Sequence, residues 1–369
     1  MVIYGSSTGG VYVTETEFIK VWKERADIDG IIFGKGKAAD EYEKMLDTTF
    51  SIDKFETKTH VSSVISGLIL RFKKMLAVAQ SSKEALSRKK YDAVIYSTPL
   101  LEIYAGIIGK MLHTDVYWHM PRPVRSRIEK WYYEALFGIF KINAVANSKN
   151  TRTSFSKYAM DVVYPGYSST RVKRSNSSVD KKYRLSFDID GGEIVFGIAA
   201  RIQPVRAQHK VIMAAERILR EGGQIRLLIA GSSTNSRYLK KCQEKVENKE
   251  KIIFIGEVKD MYEFYSSVDV YVNSINTSEG FGVSVAEALS LGVPVITKQG
   301  GGTDELVTHE KNGILIKGST TDYYYLGMKK IISETNDYKL AARRHMSDMQ
   351  FFNTREQANR FLDIISSKK

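Results

Sequence analysis

The sequence is poor in cysteine, in long apolar runs and in acidic residues. Its one cysteine, Cys242, excludes an internal disulfide and any cysteine-based metal cluster. No apolar run approaches the roughly 20 residues that a membrane-spanning helix needs. The first residues, MVIYGSSTGGVYVTE, favour a strand and lack the basic region and apolar stretch of a signal peptide. A cytoplasmic location is therefore the default expectation.

The shortage of acidic residues leaves the chain strongly basic. Lys and Arg number 55 against 42 Asp and Glu, which gives a net charge of +13. Such a surplus favours anionic partners, namely nucleic acid, an acidic membrane surface or phosphorylated substrates. Because the sequence contains no zinc-finger, homeodomain or RNA-recognition motif, we expect no nucleic-acid partner.

The length of 369 residues predicts two domains of ordinary size, and the 43% of hydrophobic residues is enough to form their cores. Short apolar runs alternate with helical patterns in both halves, a pattern that predicts mostly parallel α/β sheets. In the first half the predicted strands are residues 2–5, 31–34, 93–97, 116–119, 144–147 and 162–164. In the second half they are residues 194–200, 225–230, 252–255, 268–272 and 293–296, with a further strand in KNGILIKG.

The segment with the clearest functional pattern is residues 273–305, NSINTSEGFGVSVAEALSLGVPVITKQGGGTDE. Gly280, Phe281 and Gly282 precede a predicted amphipathic helix that ends at Gly292. Glycines just before a helix let the backbone approach a ligand closely, and the free N–H groups of a helix start suit an anion such as a diphosphate. The pattern therefore predicts an anion-binding loop.

Two glutamates, Glu279 and Glu287, are separated by seven residues in this segment, with GFG between them and GVPVI behind them. A GG-x-x-E run follows, and the whole pattern resembles the donor-sugar site of retaining GT-B glycosyltransferases of family 4, the glycosyl transferases group 1. The resemblance implies an α/β GT-B fold, in which two Rossmann-like domains face a cleft and a C-terminal helix crosses back to the first domain. An ordinary Rossmann-like βα unit with surface glutamates is the alternative.

The resemblance also implies a division of the chain into four parts. Residues 1–165 would form an N-terminal Rossmann-like acceptor domain, and residues 166–192, rich in serine, glycine and charge, would form a linker. Residues 193–348 would form the C-terminal Rossmann-like donor domain. Residues 349–369 would form a helix that packs on the N-terminal domain.

Three cations are candidates for holding the donor diphosphate. The family carries a Gly-Arg-x-x-x-x-Lys-Gly pattern after the first strand of the donor domain, and Arg201 matches its Arg. Arg206 occupies the Lys position, although the head of Arg is longer, planar and forked. Lys210, four residues on, is the alternative second cation. Arg201 and Arg206 are therefore expected catalytic residues.

The resemblance assigns the remaining donor contacts. Glu279 would be a further catalytic residue and bind hydroxyls of the donor sugar, and Glu287 would bind the ribose hydroxyls. Backbone groups near Val258 would receive the nucleotide base. The residues around the helix start would bind the diphosphate through their amides, and these are Gly280, Phe281, Gly282 and Val283.

A glycine pair and a histidine in the first half of the chain also fit the family resemblance. Gly9 and Gly10 lie in SSTGG, which lacks the GxGxxG spacing of a dinucleotide site and so argues against a nicotinamide enzyme. By resemblance they border the acceptor pocket and the donor diphosphate, whereas taken alone a glycine pair is ordinary turn chemistry. His119 ends a predicted strand and by resemblance is catalytic, approaching the donor sugar. Taken alone, a single histidine is more often structural.

Residues 57–90 combine apolar residues at helical spacing with many Lys and Arg, and Glu84 is the only acid among them. A basic amphipathic helix of this kind can lie on an anionic bilayer, which leaves a peripheral membrane contact open. The alternative is a helix that faces the core with a solvated basic side. The basic residues that follow His119 also leave two alternatives open. They contact a phosphorylated or lipid-linked acceptor, or they form a solvated basic loop. These residues are Arg122, Arg125, Arg127 and Lys130.

The expected reaction moves a hexose of glucose or mannose type from a UDP- or GDP-sugar to a hydroxyl of a glycan or lipid-linked acceptor, with retention. We expect no cofactor and no metal, because no DxD occupies the place that a metal-dependent transferase would use. A GT-B sugar-nucleotide epimerase or sugar-phosphate synthase could use much of the same donor site. A basic GT-B-like scaffold without catalysis is the alternative that is not an enzyme.

Overall fold

The structure is a computed structural model that describes residues 1–5, 9–52, 64–99, 101–155, 160–176 and 178–368. The chain divides into two units. The first contains Met1–Pro165 together with Thr354–Lys369, and the second contains Gly166–Asn353.

In the described part of the first unit, seven parallel strands form one sheet in the order β3-β2-β1-β4-β5-β6-β7. The strands are β1 (Val2–Gly5), β2 (Gly30–Phe33), β3 (Thr49–Ile52), β4 (Val94–Tyr96), β5 (Val116–Met120), β6 (Asn143–Ala146) and β7 (Asp161–Val162). The helices between them are α1 (Gly10–Trp22), α2 (Lys37–Met45), α3 (Val64–Leu86), α4 (Glu102–Leu112), α5 (Arg127–Phe140) and α6 (Lys149–Arg152).

Helices cover both faces of this sheet, which is why its central strands are continuously apolar. One core lies under α3, α4 and α5, and Tyr96 and Trp118 of the sheet stack in it with ring centroids 5.9 Å apart. The other core lies under α1 and α2, where the ring centroids of Tyr4 and Tyr42 are 5.1 Å apart. The predicted strands lie within two residues of the observed ones, but β3 was not predicted. Its residues TFSI are half-buried or exposed, so they give a weak apolar signal.

The basic segment at residues 57–90 forms α3, and residues 57–63 lie outside the described residues. In the described part of the helix, Met75, Ala79 and Leu86 are buried in the core. Lys73 and Lys83 are exposed. This arrangement matches the core-facing alternative for the described side chains, and a membrane contact through this segment remains a prediction.

In the described part of the second unit, six parallel strands follow the order β10-β9-β8-β11-β12-β13. The strands are β8 (Ile194–Ala199), β9 (Ile225–Ala230), β10 (Ile252–Gly256), β11 (Val270–Asn273), β12 (Val295–Lys298) and β13 (Gly313–Ile316). The helices are α7 (Ser169–Val172), α8 (Lys182–Ser186), α9 (Gln208–Arg220), α10 (Ser236–Gln243), α11 (Met261–Ser267), α12 (Val283–Ser290), α13 (Thr321–Ser333) and α14 (Thr335–Arg344).

Residues 166–192, expected as a linker, belong to the second unit and carry α7 and α8. Lys182 donates to Glu263 of α11 at 2.7 Å, and the backbone N–H of Val179 donates to the same carboxylate at 3.1 Å. Arg184 pairs with Asp269 at the start of β11. The segment is therefore packed onto the α11 side of the second unit.

The last helix, α15 (Thr354–Ser367), lies in the first unit and packs on α1. Phe361 is fully buried, and its ring lies 5.5 Å from Trp22, 5.5 Å from His119 and 6.4 Å from both Phe18 and Tyr117, measured between centroids. None of the helices in the described ranges is both long and apolar enough to cross a bilayer.

The aromatic contact of α15 leads to a stability prediction. Phe361→Ala should lower the free energy of unfolding by about 3–5 kcal/mol, because it leaves a cavity among four rings. Urea denaturation followed by circular dichroism measures the change. Arg360→Ala, on the exposed side of the same helix, is the control and should have little effect. Equal losses in the two variants would contradict the packing.

Candidate functional site

Glycines shape the loop in front of α12. Gly282 caps the helix with φ +96°, a left-handed conformation that favours glycine. Opposite this loop, a Cβ on Gly302 would lie 2.0 Å from the carbonyl oxygen of Gly280, and a Cβ on Gly301 would lie 2.7 Å from the carbonyl oxygen of Glu279. The two glycine-containing segments therefore pack backbone against backbone, and side chains at either position would separate them.

This packing leaves the start of α12 without a side-chain cap among the described residues. Val283 is the first helical residue, so the backbone N–H groups of the first turn have no partner within the helix. Such groups carry partial positive charge and attract anions. Gly280, Phe281, Gly282 and Val283 are thus placed together, as the sequence predicted, although their contact with a diphosphate remains a prediction.

Two of the expected catalytic residues are in direct contact. Arg206 donates from Nη1 to Oε2 of Glu279 at 2.7 Å, and both side chains are half-buried. Arg206 ends a short 3-10 helix after β8, whereas Glu279 lies in the loop after β11. Arg201, also after β8, is exposed, and its carbonyl oxygen accepts a hydrogen bond from Gln208 at 2.9 Å.

The positions of these residues follow from the order of the strands. β8 and β11 are neighbours, and the chain continues from β8 toward β9 but from β11 toward β12. In open parallel sheets, ligands bind outside the carboxyl ends of the strands at such a switch point. Arg206 and Glu279 therefore meet at the position where this fold class places a ligand.

Asn276 connects the two loops and was not predicted from the sequence. Its backbone N–H donates to Val205 at 2.8 Å and its Nδ2 donates to Pro204 at 2.8 Å. Its Oδ1 accepts from Nζ of Lys210 at 2.7 Å. Asn276 thus positions Lys210 and the turn that carries Arg206. The available signal was its place three residues after β11, in the loop that leads to Glu279.

Ala207 occupies the position of the last glycine in the Gly-Arg-x-x-x-x-Lys-Gly pattern. It adopts φ +55° at the start of α9, a left-handed conformation that glycine adopts without strain. Alanine keeps this conformation while fully buried. The turn that places Arg206 and Lys210 is therefore retained in spite of the substitution.

Glu287 is buried in α12 and is held from two sides. The hydroxyl of Tyr265 can donate its one proton to Oε2 of Glu287, at 3.1 Å, or to the carbonyl oxygen of Ser284, at 3.0 Å. Nη1 of Arg171 lies 3.4 Å from Oε1. Tyr265 and Arg171 were not predicted, because both contacts join residues that are far apart in the sequence.

Val258 lies two residues beyond β10 and is half-buried. It follows Gly256, which has φ +74°, and precedes Asp260, whose carboxylate accepts from the backbone N–H of Tyr262 at 2.9 Å. The parallel strand order places it at the same edge of the sheet as Arg206 and Glu279. Its contact with a nucleotide base remains a prediction.

Gly9 and Gly10 lie in the first unit, after β1. Gly9 caps α1 with φ +136°, and Gly10 is the first residue of the helix. A Cβ on Gly10 would meet no heavy atom within 4 Å. The role of this glycine pair at an acceptor or a diphosphate stays a prediction.

His119 is enclosed in the core of the first unit. Its Nε2 lies 2.8 Å from the carbonyl oxygen of Val163, and its ring stacks on Phe18 with centroids 5.6 Å apart. Burial lowers the pKa of His119 to about 4, so the ring is neutral at pH 7. This packing fits the structural alternative, and the catalytic role stays a prediction.

Glu15 is a buried carboxyl group that the sequence did not single out. It lies in α1, and the hydroxyl of Tyr42 donates to its Oε2 at 2.5 Å. Burial raises the pKa of Glu15 to about 8, so the group is mostly protonated at neutral pH. Among the described residues, no three His, Cys, Asp or Glu side chains are arranged to hold a metal ion.

Comparison with known proteins points to one family. Residues 179–347 match the model of the family described as glycosyl transferases group 1. The uncharacterized glycosyltransferase MJ1607 of Methanocaldococcus jannaschii is 28% identical over 176 residues, 47% of this chain and 45% of that protein. The GDP-mannose-dependent alpha-mannosyltransferase of Mycobacterium tuberculosis is 29% identical over 171 residues, 46% of this chain and 42% of that protein. The chain thus spans less than half the length of these curated relatives.

A solved structure matches over the whole chain. The crystal structure of Anabaena HepE in complex with UDP-glucose superposes with a TM-score of 0.79 at 20% identity, covering 99% of both chains. At this identity the likeness establishes the fold. The chain has the GT-B architecture, with two parallel-sheet α/β units, and the predicted fold class is confirmed.

The raised pKa of Glu15 predicts how stability changes with pH. The folded state holds a proton that the unfolded state releases near pH 4.5, so the free energy of unfolding should fall as the pH rises from about 4.5 to about 8. The expected loss is on the order of 4 kcal/mol. Glu15→Gln should remove it, as measured by urea denaturation across this range.

Two comparisons isolate the effect of Glu15. His119 acts in the opposite direction below its ordinary pKa of 6.5, so only the difference between wild type and Glu15→Gln is assigned to Glu15. Asp40→Asn changes an exposed carboxylate of the same unit and should leave the pH dependence as it is. An unchanged pH dependence in Glu15→Gln would show that Glu15 is not buried in its neutral form.

Proposed function

We propose that this protein is a retaining family 4 glycosyltransferase that moves a glucose- or mannose-type hexose from a UDP- or GDP-sugar to a hydroxyl of a glycan or lipid-linked acceptor. The observation that carries the proposal is the contact between Arg206 and Glu279 beside the open start of α12. Both residues lie within the range that matches the glycosyl transferases group 1. A cation, a carboxylate and the amides of a helix start are groups that can bind the diphosphate and the sugar of a nucleotide-sugar donor.

The proposed role of the cations is to stabilise the leaving group. Breaking the bond between sugar and phosphate places negative charge on the diphosphate and positive charge on the sugar ring. Arg206, Lys210 and the amides that begin α12 are held in place by the protein, so they stabilise the developing charge without reorganisation. Arg201, exposed after β8, is the third proposed cation.

Glu279 and Glu287 have separate proposed roles. In the structure Arg206 neutralises Glu279, and an incoming diphosphate would compete for the same guanidinium. Glu279 would then be free to accept hydrogen bonds from hydroxyls of the donor sugar. Glu287 would accept from the ribose hydroxyls while Tyr265 keeps its carboxylate in position. Ribose would therefore compete with Arg171 for Oε1.

The proposed stereochemistry comes from the family resemblance. Retaining glycosidases place two carboxylates across the scissile bond. In the proposed mechanism the acceptor instead attacks from the face that the diphosphate leaves, and an oxygen of the donor phosphate takes the proton of the acceptor hydroxyl. The bond to the sugar breaks as the new one forms, and the nucleotide diphosphate leaves with that proton.

The choice of donors rests on the relatives. The Anabaena structure contains UDP-glucose, and the Mycobacterium tuberculosis relative is GDP-mannose-dependent. A thermal-shift panel of UDP-glucose, GDP-mannose and ADP-glucose identifies the donor, because a ligand of the folded state raises the melting temperature. Release of a free product without a glycan acceptor would favour a sugar-phosphate synthase or an epimerase. If none of the nucleotide sugars raises the melting temperature, a scaffold without catalysis is favoured.

Glu287→Gln tests the ribose role. The substitution keeps the shape but removes the charge that accepts two hydroxyl hydrogen bonds, so the affinity for the nucleotide should fall about 10- to 100-fold. Isothermal titration calorimetry with the nucleotide diphosphate of the preferred donor measures it. Glu244→Gln, an exposed carboxylate of the same unit, is the control. Unchanged affinity in Glu287→Gln would remove Glu287 from the nucleotide site.

Metal dependence is a separate prediction. If Arg206, Lys210 and the amides of α12 neutralise the diphosphate, EDTA should leave turnover unchanged within about twofold. The measurement is release of the nucleotide diphosphate from the donor before and after chelation. Activity that EDTA abolishes and Mg²⁺ or Mn²⁺ restores would overturn this part of the proposal.

A further inference from the structure

One helix of the first unit exposes large apolar side chains. In α5, Ile128 is 80% exposed, Trp131 is 70% exposed and Ile139 is 56% exposed. With the half-buried Ala135 they recur at three- and four-residue steps, so they lie along one side of the helix. The opposite side faces the core through Tyr133, Leu136, Phe137 and Phe140. We call Ile128, Trp131, Ala135 and Ile139 the α5 stripe.

Cations border the α5 stripe. Arg125 and Arg127 at the start of α5 and Lys141 at its end are exposed, whereas Lys130 is half-buried, with its Nζ 6.0 Å from the ring centroid of the core residue Phe155. Arg122 differs from them, because Glu129 binds it at 2.7 Å and neutralises it. The stripe is therefore an apolar surface with a positively charged border.

The positive charge extends over the neighbouring helices. Helices α3, α4 and α5 lie side by side over one face of the sheet. Residues 64–155, which contain them, carry 15 Lys and Arg against 6 Asp and Glu, nine of the net +13 of the chain. Lys73, Lys83 and Lys110 are exposed in this layer. The excess charge of the protein is thus concentrated in the part of the sequence that contains α3, α4 and α5.

We propose that the α5 stripe and its cationic border form a peripheral docking surface for an anionic lipid bilayer. Ile128, Trp131 and Ile139 enter the boundary between headgroups and acyl chains, and the cations contact the headgroup phosphates. Tryptophan suits this boundary because its ring is apolar and its N–H remains hydrated. This surface differs from residues 57–90, whose described apolar residues Met75 and Leu86 face the core.

The positive charge beside the α5 stripe favours an anionic bilayer over a second copy of the chain as its binding partner. In a two-fold contact the same patch meets itself, so Arg125, Arg127 and Lys141 of the two copies would face like charges. An anionic bilayer offers apolar acyl chains to the α5 stripe and negatively charged headgroups to the cations beside it. The proposal is independent of glycosyl transfer, because it concerns only how the first unit meets a surface.

Tryptophan fluorescence tests the proposal directly. Of the three tryptophans, Trp22 and Trp118 are 1% and 2% exposed, so changes at the surface report on Trp131. The full chain is mixed with vesicles of phosphatidylcholine and phosphatidylglycerol that contain brominated lipid. Fluorescence should shift to the blue and be quenched, and high salt should weaken both effects. Vesicles of phosphatidylcholine alone should give a much smaller effect.

Variants separate the stripe from general basicity. Sedimentation with the anionic vesicles should weaken by at least about tenfold in the double variant Ile128→Glu, Ile139→Glu, which keeps Trp131. Leu326→Glu changes a side chain that is 60% exposed in the second unit and should bind like wild type. Trp131→Phe should abolish the quenching signal while most sedimentation remains. Thermal melting confirms that each variant is folded.

Three results would overturn the proposal. The first is the absence of quenching and sedimentation with anionic vesicles. The second is an equal loss of binding in the stripe variant and in Leu326→Glu. The third is protection of Trp131 from acrylamide that rises with protein concentration in the absence of lipid, which would assign the stripe to a second copy of the chain.

Discussion

The candidate site depends on the contact between two backbones that only glycine permits. Gly301 and Gly302 pass so close to the carbonyl groups of Glu279 and Gly280 that a Cβ would overlap them. This contact fixes the loop before α12, keeps the first turn of the helix open and holds Glu279 where Arg206 reaches it. The glycines thus position charged groups although they carry no charge themselves. A larger residue at position 302 would displace the loop and, with it, Glu279.

Charge balance is the second constraint on the site. Half-buried Arg206 and Glu279 neutralise each other, and buried Glu287 is held by Tyr265 and Arg171. Carboxylates removed from water are costly unless they are paired, and the second unit supplies these partners itself. In the proposed complex a diphosphate would take the place of Glu279 on Arg206, and ribose hydroxyls would take the place of Arg171 at Oε1 of Glu287. Both pairs therefore consist of contacts that a nucleotide sugar can exchange.

Much of the fold and part of the site could be predicted from the sequence. Buried parallel strands are apolar throughout, so most were located within two residues, whereas the half-exposed strand TFSI was not predicted. The glycine loop, Arg206 and Glu279 follow from a local motif. Asn276, Tyr265 and Arg171 could not be found in this way, because each acts on residues that only the folded chain brings near. The enclosure of His119 by Phe18 and Phe361 is likewise a property of packing.

The central claim is that a diphosphate binds at the start of α12, beside Arg206. A crystal structure of the protein with its preferred nucleotide sugar tests this claim most directly. The account predicts phosphate oxygens within about 3 Å of the amide nitrogens around Phe281 to Val283, with Arg206 turned from Glu279 toward the phosphates. A nucleotide sugar bound elsewhere, with the Arg206–Glu279 pair intact and the helix start unoccupied, would contradict it.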